Sequence, residues 1–153
     1  MARVDVILFE DIFEVNAKDP DGKKFDKVSR FQCRSDLYEM DLLLDINIDV
    51  YPLEAHDKFS LALSRTLNMD GSASSVKYDA KFPGLSNNAS LMDNYEYVMF
   101  GKVFKYKDSN QGGVMRVEVF VSFGGLLMQL SGDPKKLEAL EVDDNIYLLM
   151  RKV

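Results

Sequence analysis

Residues 94–133 read NYEYVMFGKVFKYKDSNQGGVMRVEVFVSFGGLLMQLSGD. Large apolar side chains recur at every second position over three successive segments of this stretch, which is the period of β-strands and not of helices. The pair Gly124-Gly125 stands between two of these segments. Because a Gly-Gly loop can take the positive φ angles of a tight hairpin turn, the stretch is predicted to form a β-meander.

Together with similar segments elsewhere in the chain, this stretch gives a prediction of eight strands. Most of them are separated by turn residues, for example Asp19-Pro20-Asp21-Gly22. Only Pro134–Leu140 suggests a helical turn. Strands at this spacing indicate an all-β sandwich or barrel. The predicted strands are Ile7–Val15, Phe25–Arg34, Met40–Tyr51, Lys58–Leu67, Asn94–Tyr106, Val114–Phe123, Leu126–Ser131 and Asn145–Lys152.

Size and composition are those of one acidic domain. The chain has 153 residues and a net charge of −6, which argues against holding a nucleic-acid backbone by bulk electrostatics. The single cysteine, Cys33, excludes an internal disulfide and fits a reducing compartment. No apolar run reaches the length of a signal peptide or a membrane span. We therefore expect a soluble protein of the cytosol or nucleus, with no membrane partner.

One segment departs from the strand pattern. Asn68–Met92 is rich in Ser, Asn, Gly and Ala and has no convincing period. A connection this long without secondary structure is uncommon in a compact domain. The sequence predicts a long flexible loop there.

Charges set the expected register between the second and third strands. In one register opposite charges meet on one face and apolar side chains on the other, as a half-buried sheet requires. The pairs are Arg34 with Asp41, Arg30 with Asp45, Cys33 with Leu42, and Phe31 with Leu44.

A similar argument pairs the strands of the meander. It places Lys102 opposite Glu118, Phe100 opposite Phe120, Met99 opposite Val121, Val103 opposite Val117, Met128 opposite Val121 and Leu130 opposite Val119. The predicted barrel interior is Tyr97, Met99, Val103, Val117, Val119 and Val121.

The other face of the meander is also apolar, and it is the candidate binding surface. A sheet that is apolar on both faces needs a second cover. That cover is either another part of this chain or a partner protein, since exposed apolar patches mark interaction sites. The candidate interface residues are Val98, Phe100, Phe104, Phe120 and Leu127.

No catalytic, cofactor or metal site is predicted. Asp45-x-Asn47-x-Asp49 opens like a calcium loop, but Val50 and His56 stand where such a loop needs Gly and Glu. His56 is the only histidine, so with Cys33 it supplies too few soft ligands for a structural zinc ion. No glycine loop has the spacing that cradles a phosphate. The ionisable residues are assigned instead to paired strand faces and turns.

Aromatic residues and lysines alternate within residues 95–106, which leaves a second function open. Such a strand resembles the surface on which oligonucleotide-binding folds stack bases. It equally resembles a barrel strand that is packed on both sides. The acidic net charge favours packing, so a stand-alone single-strand nucleic-acid binder is the alternative.

Five segments together resemble one known family. They are LFEDIFEVNAKDPDGKKFDKVSR, LLLDINIDVYPLE, NYEYVMFGKVFKYK, VSFGGLLMQLSGD and NIYLLMRK, in that order along the chain. The sequence is similar to the eighth common subunit of the eukaryotic nuclear RNA polymerases. The likeness covers nearly the whole chain apart from residues 1–6 and the predicted loop 68–92.

This resemblance implies a fold and a role. The implied fold is a single domain over residues 1–153, an eight-stranded antiparallel barrel like the oligonucleotide-binding fold, with a mobile loop at 68–92. The implied role is a structural and assembly subunit of DNA-directed RNA polymerases I, II and III in the nucleoplasm and nucleolus. It would dock on the largest subunit without catalysis, cofactor or direct contact with nucleic acid. The five candidate interface residues would then face the polymerase.

Overall fold

The computed structural model describes residues 7–22, 26–35, 39–66 and 95–153. In these ranges eight antiparallel strands close into one barrel in the order β1-β2-β3-β7-β6-β5-β8-β4. The predicted all-β, eight-stranded barrel is therefore confirmed. Its elements are β1 Ile7–Lys18, β2 Val28–Ser35, β3 Asp41–Asn47, β4 Lys58–Ser64, β5 Tyr97–Gln111, β6 Val114–Phe123, β7 Leu126–Gly132, α1 Pro134–Leu137 and β8 Asn145–Lys152.

Several predicted boundaries differ from the observed ones. The third strand ends at Asn47 and not at Tyr51, because the Asn47 carbonyl accepts the backbone N–H groups of Val50 and Tyr51 in a turn. The fifth strand runs on to Gln111 instead of stopping at Tyr106. The predicted flexible loop Asn68–Met92 lies outside the described residues, as do Phe25, Leu67 and Asn94 at the ends of three predicted strands.

The barrel interior holds a continuous apolar core. Phe13 and Phe59 are fully buried, and their rings stack at a centroid distance of 6.0 Å. Fully burying such a side chain contributes about 1.5–3 kcal/mol. All six interior residues predicted for the meander are buried: Tyr97, Met99, Val103, Val117, Val119 and Val121.

Cys33 belongs to the same core, as the alternation with Phe31 indicates. Burial raises the pKa of its thiol to about 12. Since the thiolate is the reactive form, Cys33 is unreactive in the folded barrel near neutral pH.

The short helix α1 begins at a proline and packs against β6 and β1. The Asp133 carboxylate caps it by accepting the Lys135 N–H. Leu137 and Leu140 join the core. None of the helices in the described ranges is long and apolar enough to cross a membrane.

The register predicted between β2 and β3 is confirmed for all four pairs. The pairs predicted between β6 and β7, Met128 with Val121 and Leu130 with Val119, are also confirmed.

The register predicted between β5 and β6 is wrong. Lys102 lies opposite Ser122, whereas Glu118 lies opposite Lys107, and Val103 lies opposite Val121. Phe100 does not pair with Phe120 but with Tyr147 of β8. The reason is a shorter turn: Gly112 and Gly113, with φ of 60° and 83°, close the hairpin alone, so the polar residues before them belong to the strand.

Strand β5 has two neighbours and changes between them halfway. Tyr97–Lys102 pairs with β8, and Lys102–Gln111 pairs with β6, with a bulge between Val103 and Lys105. Gly101 lies at this crossing. A Cβ atom there would be 2.2 Å from the Ser122 carbonyl oxygen of β6. Strands β5 and β6 therefore approach each other at a position where only glycine fits.

Candidate protein interface

The five candidate residues Val98, Phe100, Phe104, Phe120 and Leu127 define what we call the outer patch, and β5, β6 and β7 carry all of them. Phe100, Phe104 and Leu127 are 37%, 49% and 42% exposed. Val98 and Phe120 are half-buried. The patch is therefore exposed in part.

Ring contacts divide the patch into two groups. Phe104 and Phe120 lie 6.2 Å apart between ring centroids, and the Lys105 ammonium lies 5.3 Å above the Phe120 ring. Phe100 instead contacts Tyr147, at a centroid distance of 4.8 Å. These contacts order the rings in the free protein, so binding there would lose less side-chain entropy.

At the Val98 end the chain supplies its own cover. Val98 packs with Ile7 and Tyr95 against a second apolar cluster on the outer side of the barrel, made of Ala62, Tyr147 and Leu149. Residues 148 and 150 belong to the interior core, so Leu149 between them points outward. The two ends of this face therefore differ: Val98 is half-buried against residues of the chain itself, whereas Phe104 and Leu127 are exposed.

An ion pair on the neighbouring strands fixes the position of Leu127. Asp45 of β3 accepts hydrogen bonds from Arg30 Nε and Nη2 at 2.7 and 3.1 Å. Its Oδ2 atom also accepts the Leu127 N–H at 3.0 Å. The hydrogen bonds that Arg30 donates to Asp45 raise the pKa of the Arg30 guanidinium. The Gly124-Gly125 hairpin is thus tied to β3 just where it presents an exposed apolar side chain.

Replacing Asp45 by alanine is expected to destabilise the protein by about 2–3 kcal/mol, because it leaves Arg30 unpaired and the Leu127 N–H without its acceptor. Urea unfolding followed by circular dichroism measures this loss. Asp45→Asn keeps an acceptor oxygen and is expected to lose about half as much. Equal losses in the two variants would show that a neutral acceptor oxygen at this position contributes nothing to stability.

The polar side chains near Asp45 have partners that the sequence did not indicate. Asp41 lies opposite Arg34, yet its carboxylate binds Arg116 Nη2 at 3.1 Å. The Asn47 side chain accepts the Asp49 N–H in a turn. Within the described residues, no group of three or more His, Cys, Asp and Glu side chains could hold a metal ion.

Sequence reasoning missed Asp45 and Lys105 as parts of this site. The β2–β3 alternation identified Asp45 as a partner of Arg30, but its second bond depends on β7 lying beside β3. Lys105 reaches Phe120 because the bulge after Val103 brings the two residues opposite each other. No local sequence signal marks either contact.

The chain is similar in sequence to known proteins over nearly its full length. The sequence matches the family model described as RNA polymerase Rpb8 over residues 10–152. It is 53% identical over 147 residues to a Dictyostelium discoideum protein named DNA-directed RNA polymerases I, II, and III subunit rpabc3, covering 95% of this chain and 97% of that protein. A Saccharomyces cerevisiae protein, DNA-directed RNA polymerases I, II, and III subunit RPABC3, is 33% identical over 148 residues, with 95% and 97% covered. An Arabidopsis thaliana protein, DNA-directed RNA polymerases II, IV and V subunit 8B, is 48% identical over 149 residues, with 97% and 98% covered.

Proposed function

The chain belongs to the RNA polymerase Rpb8 family, and on that basis we propose that it is a non-catalytic subunit shared by DNA-directed RNA polymerases I, II and III. Relatives named as subunits of DNA-directed RNA polymerases I, II and III match it over nearly their full length. The plant relative is named for polymerases II, IV and V. The assignment of this chain to polymerases I, II and III is therefore part of the proposal. The chain contributes to the assembly and stability of these polymerases.

The outer patch is the proposed docking site, and the largest polymerase subunit is the proposed partner. The observation that carries this proposal is the exposure of two large apolar side chains of the meander, Phe104 on β5 and Leu127 on β7. Aromatic side chains at the centre of an interface supply much of the binding energy. Assembly with these enzymes places the protein in the nucleus, in both nucleoplasm and nucleolus.

Purification of the tagged chain from its own nuclear extract tests the shared-subunit role. Mass spectrometry of the co-purifying proteins is expected to recover the largest subunits of all three polymerases at near-equal stoichiometry. Recovery of the chain without any polymerase subunit would contradict the proposal.

Replacing Phe104 or Leu127 by aspartate is expected to lower incorporation into the polymerase at least about tenfold, since a charge would be buried in an apolar contact. Competition between differently tagged variant and wild-type subunits in one cell measures the effect. Ile12→Asp is the matched control, because Ile12 is 47% exposed on β1, away from the patch in the order of strands.

The control variant is expected to assemble normally, and all three variants are expected to unfold at similar urea concentrations. Normal incorporation of the Phe104 and Leu127 variants would remove the outer patch as the docking site. The shared-subunit role would still stand.

The same surface supports a second candidate function. Phe100, Phe104 and Phe120 lie near Lys102 and Lys105, as on a surface that stacks single-stranded bases. This stand-alone nucleic-acid binder requires measurable affinity for oligonucleotides that falls steeply with salt. The net charge of −6 disfavours it.

A further inference from the structure

The β5–β6 hairpin extends past the strands that flank it in the barrel. Strand β8 pairs with β5 only as far as Lys102, while β5 continues to Gln111. Val103 makes the last backbone hydrogen bonds on that side: its carbonyl accepts the Asp143 N–H at 2.8 Å, and its N–H donates to the Asp144 carbonyl at 2.9 Å. Beyond it, no strand in the described ranges pairs with this side of β5.

The hairpin turn determines which backbone groups face this open side. With Gly112-Gly113 as a two-residue loop, Gln111 and Val114 flank it as a hydrogen-bonded pair, and such pairs recur at every second residue. Lys105 and Lys107 therefore bond to β6. The N–H and C=O groups of Tyr106, Asp108 and Asn110 point away from β6, towards the open side.

We infer that this open edge of β5, residues 105–111, accepts an extended segment of a partner polypeptide as an additional strand. An unpaired strand edge is a template for such addition, in which main-chain hydrogen bonds give affinity and side chains give specificity. The edge lies next to Phe104, so it continues the proposed docking surface. This inference rests on the proposed function, because it takes the partner to be a polymerase subunit.

The side chains along the edge define the chemistry of that segment. The edge, residues 105–111, carries two lysines on one face and a single acidic residue, Asp108, on the other face. Lys105 and Lys107 lie on the same face as Phe120 and flank the edge. Acidic side chains opposite them would form favourable cross-strand pairs. On the other face Tyr106 is partly exposed and suits an apolar neighbour, so the segment alternates acidic and apolar residues.

A second copy of this chain fits the edge less well. Two identical strands related by a twofold axis pair antiparallel. A residue near the axis therefore lies opposite the same residue of the other copy, or opposite a close neighbour of it. Centred on residues 106–108, such pairing places Lys107 opposite Lys105 or itself, or Asp108 opposite itself. Like charges directly opposite each other are destabilising.

Hydrogen exchange read at single amides, in the free chain and in purified polymerase, tests the inference. In the free chain the amides of Tyr106, Asp108 and Asn110 are expected to exchange fast, and those of Lys105 and Lys107 slowly. In the polymerase the first three are expected to slow by at least about tenfold. Fast exchange in the polymerase would overturn the inference while leaving the shared-subunit role intact. Concentration-dependent protection in a dimer of the free chain would overturn it in favour of self-pairing.

Variants provide a second measurement. Asp108→Pro removes an N–H that points outwards, and Asp108→Ala is its control because it removes the same carboxylate but keeps the N–H. The barrel should stay folded in both, while incorporation of Asp108→Pro falls roughly tenfold against Asp108→Ala, about the effect of one lost hydrogen bond. Lys105→Glu with Lys107→Glu should have a similar effect. Lys27→Glu with Lys135→Glu is the charge-matched control, since both lysines are exposed elsewhere. Normal incorporation of both Asp108→Pro and the double variant Lys105→Glu with Lys107→Glu would overturn the inference.

Discussion

Replacing Phe13 by alanine is expected to destabilise the barrel by about 3–5 kcal/mol, a large share of the roughly 5–15 kcal/mol that holds a domain folded. Phe13 is fully buried, stacks on Phe59 and lies 6.3 Å from Phe9 between ring centroids. It sits on β1, which pairs with both β2 and β4. A cavity there removes packing from the core beside two strand interfaces at once.

Urea unfolding measured by far-ultraviolet circular dichroism gives this free energy. Ile12→Ala is the control, because Ile12 is adjacent to Phe13 in sequence but is 47% exposed, on the opposite face of the same strand. We expect it to cost less than about 1 kcal/mol. Similar losses for the two variants would mean that the interior of the barrel at Phe13 is not closely packed.

Gly101→Ala is expected to cost about 3 kcal/mol, the upper end of what overpacking a core costs. The added methyl group would lie 2.2 Å from the Ser122 carbonyl oxygen and 2.6 Å from Phe123 Cδ1. A backbone carbonyl cannot rotate away as a side chain can. The strands β5 and β6 would have to separate at the point where β5 changes neighbours.

Gly132→Ala separates this backbone effect from simple crowding. A Cβ atom there would lie 1.9 Å from the Met40 sulfur and 2.6 Å from its terminal methyl carbon. Because methionine is flexible, its end can move aside, and we expect a loss of about 1 kcal/mol by the same unfolding measurement. A larger loss at Gly132 than at Gly101 would contradict the explanation.

The β2–β3 pairing could be read from the sequence because two independent signals agree. Arg30 and Arg34 face acids in the same register that sets Phe31 and Cys33 against leucines. The β5–β6 pairing could not. Glu118 has two candidate partners, Lys102 and Lys107, and the polar residues before Gly112 read equally well as loop or strand.

The outer patch was predictable as a face but not in its exposure. Alternation alone places its residues on one side of the meander. Whether each is open depends on residues distant in sequence: Val98 packs against a cluster made of Ala62, Tyr147 and Leu149. Likewise, the bond from Leu127 to Asp45 spans 82 positions. Such contacts exist only after the barrel has closed, so no local pattern reveals them.

The position of β8 between β5 and β4 has a consequence for synthesis of the protein on the ribosome. Its residues are the last of the eight strands to be translated, yet they form the seam that closes the ring. Until they leave the exit tunnel, β4 and the first half of β5 expose unpaired edges, a state prone to misassembly. The nascent barrel therefore stays open at this seam until β8 has left the exit tunnel.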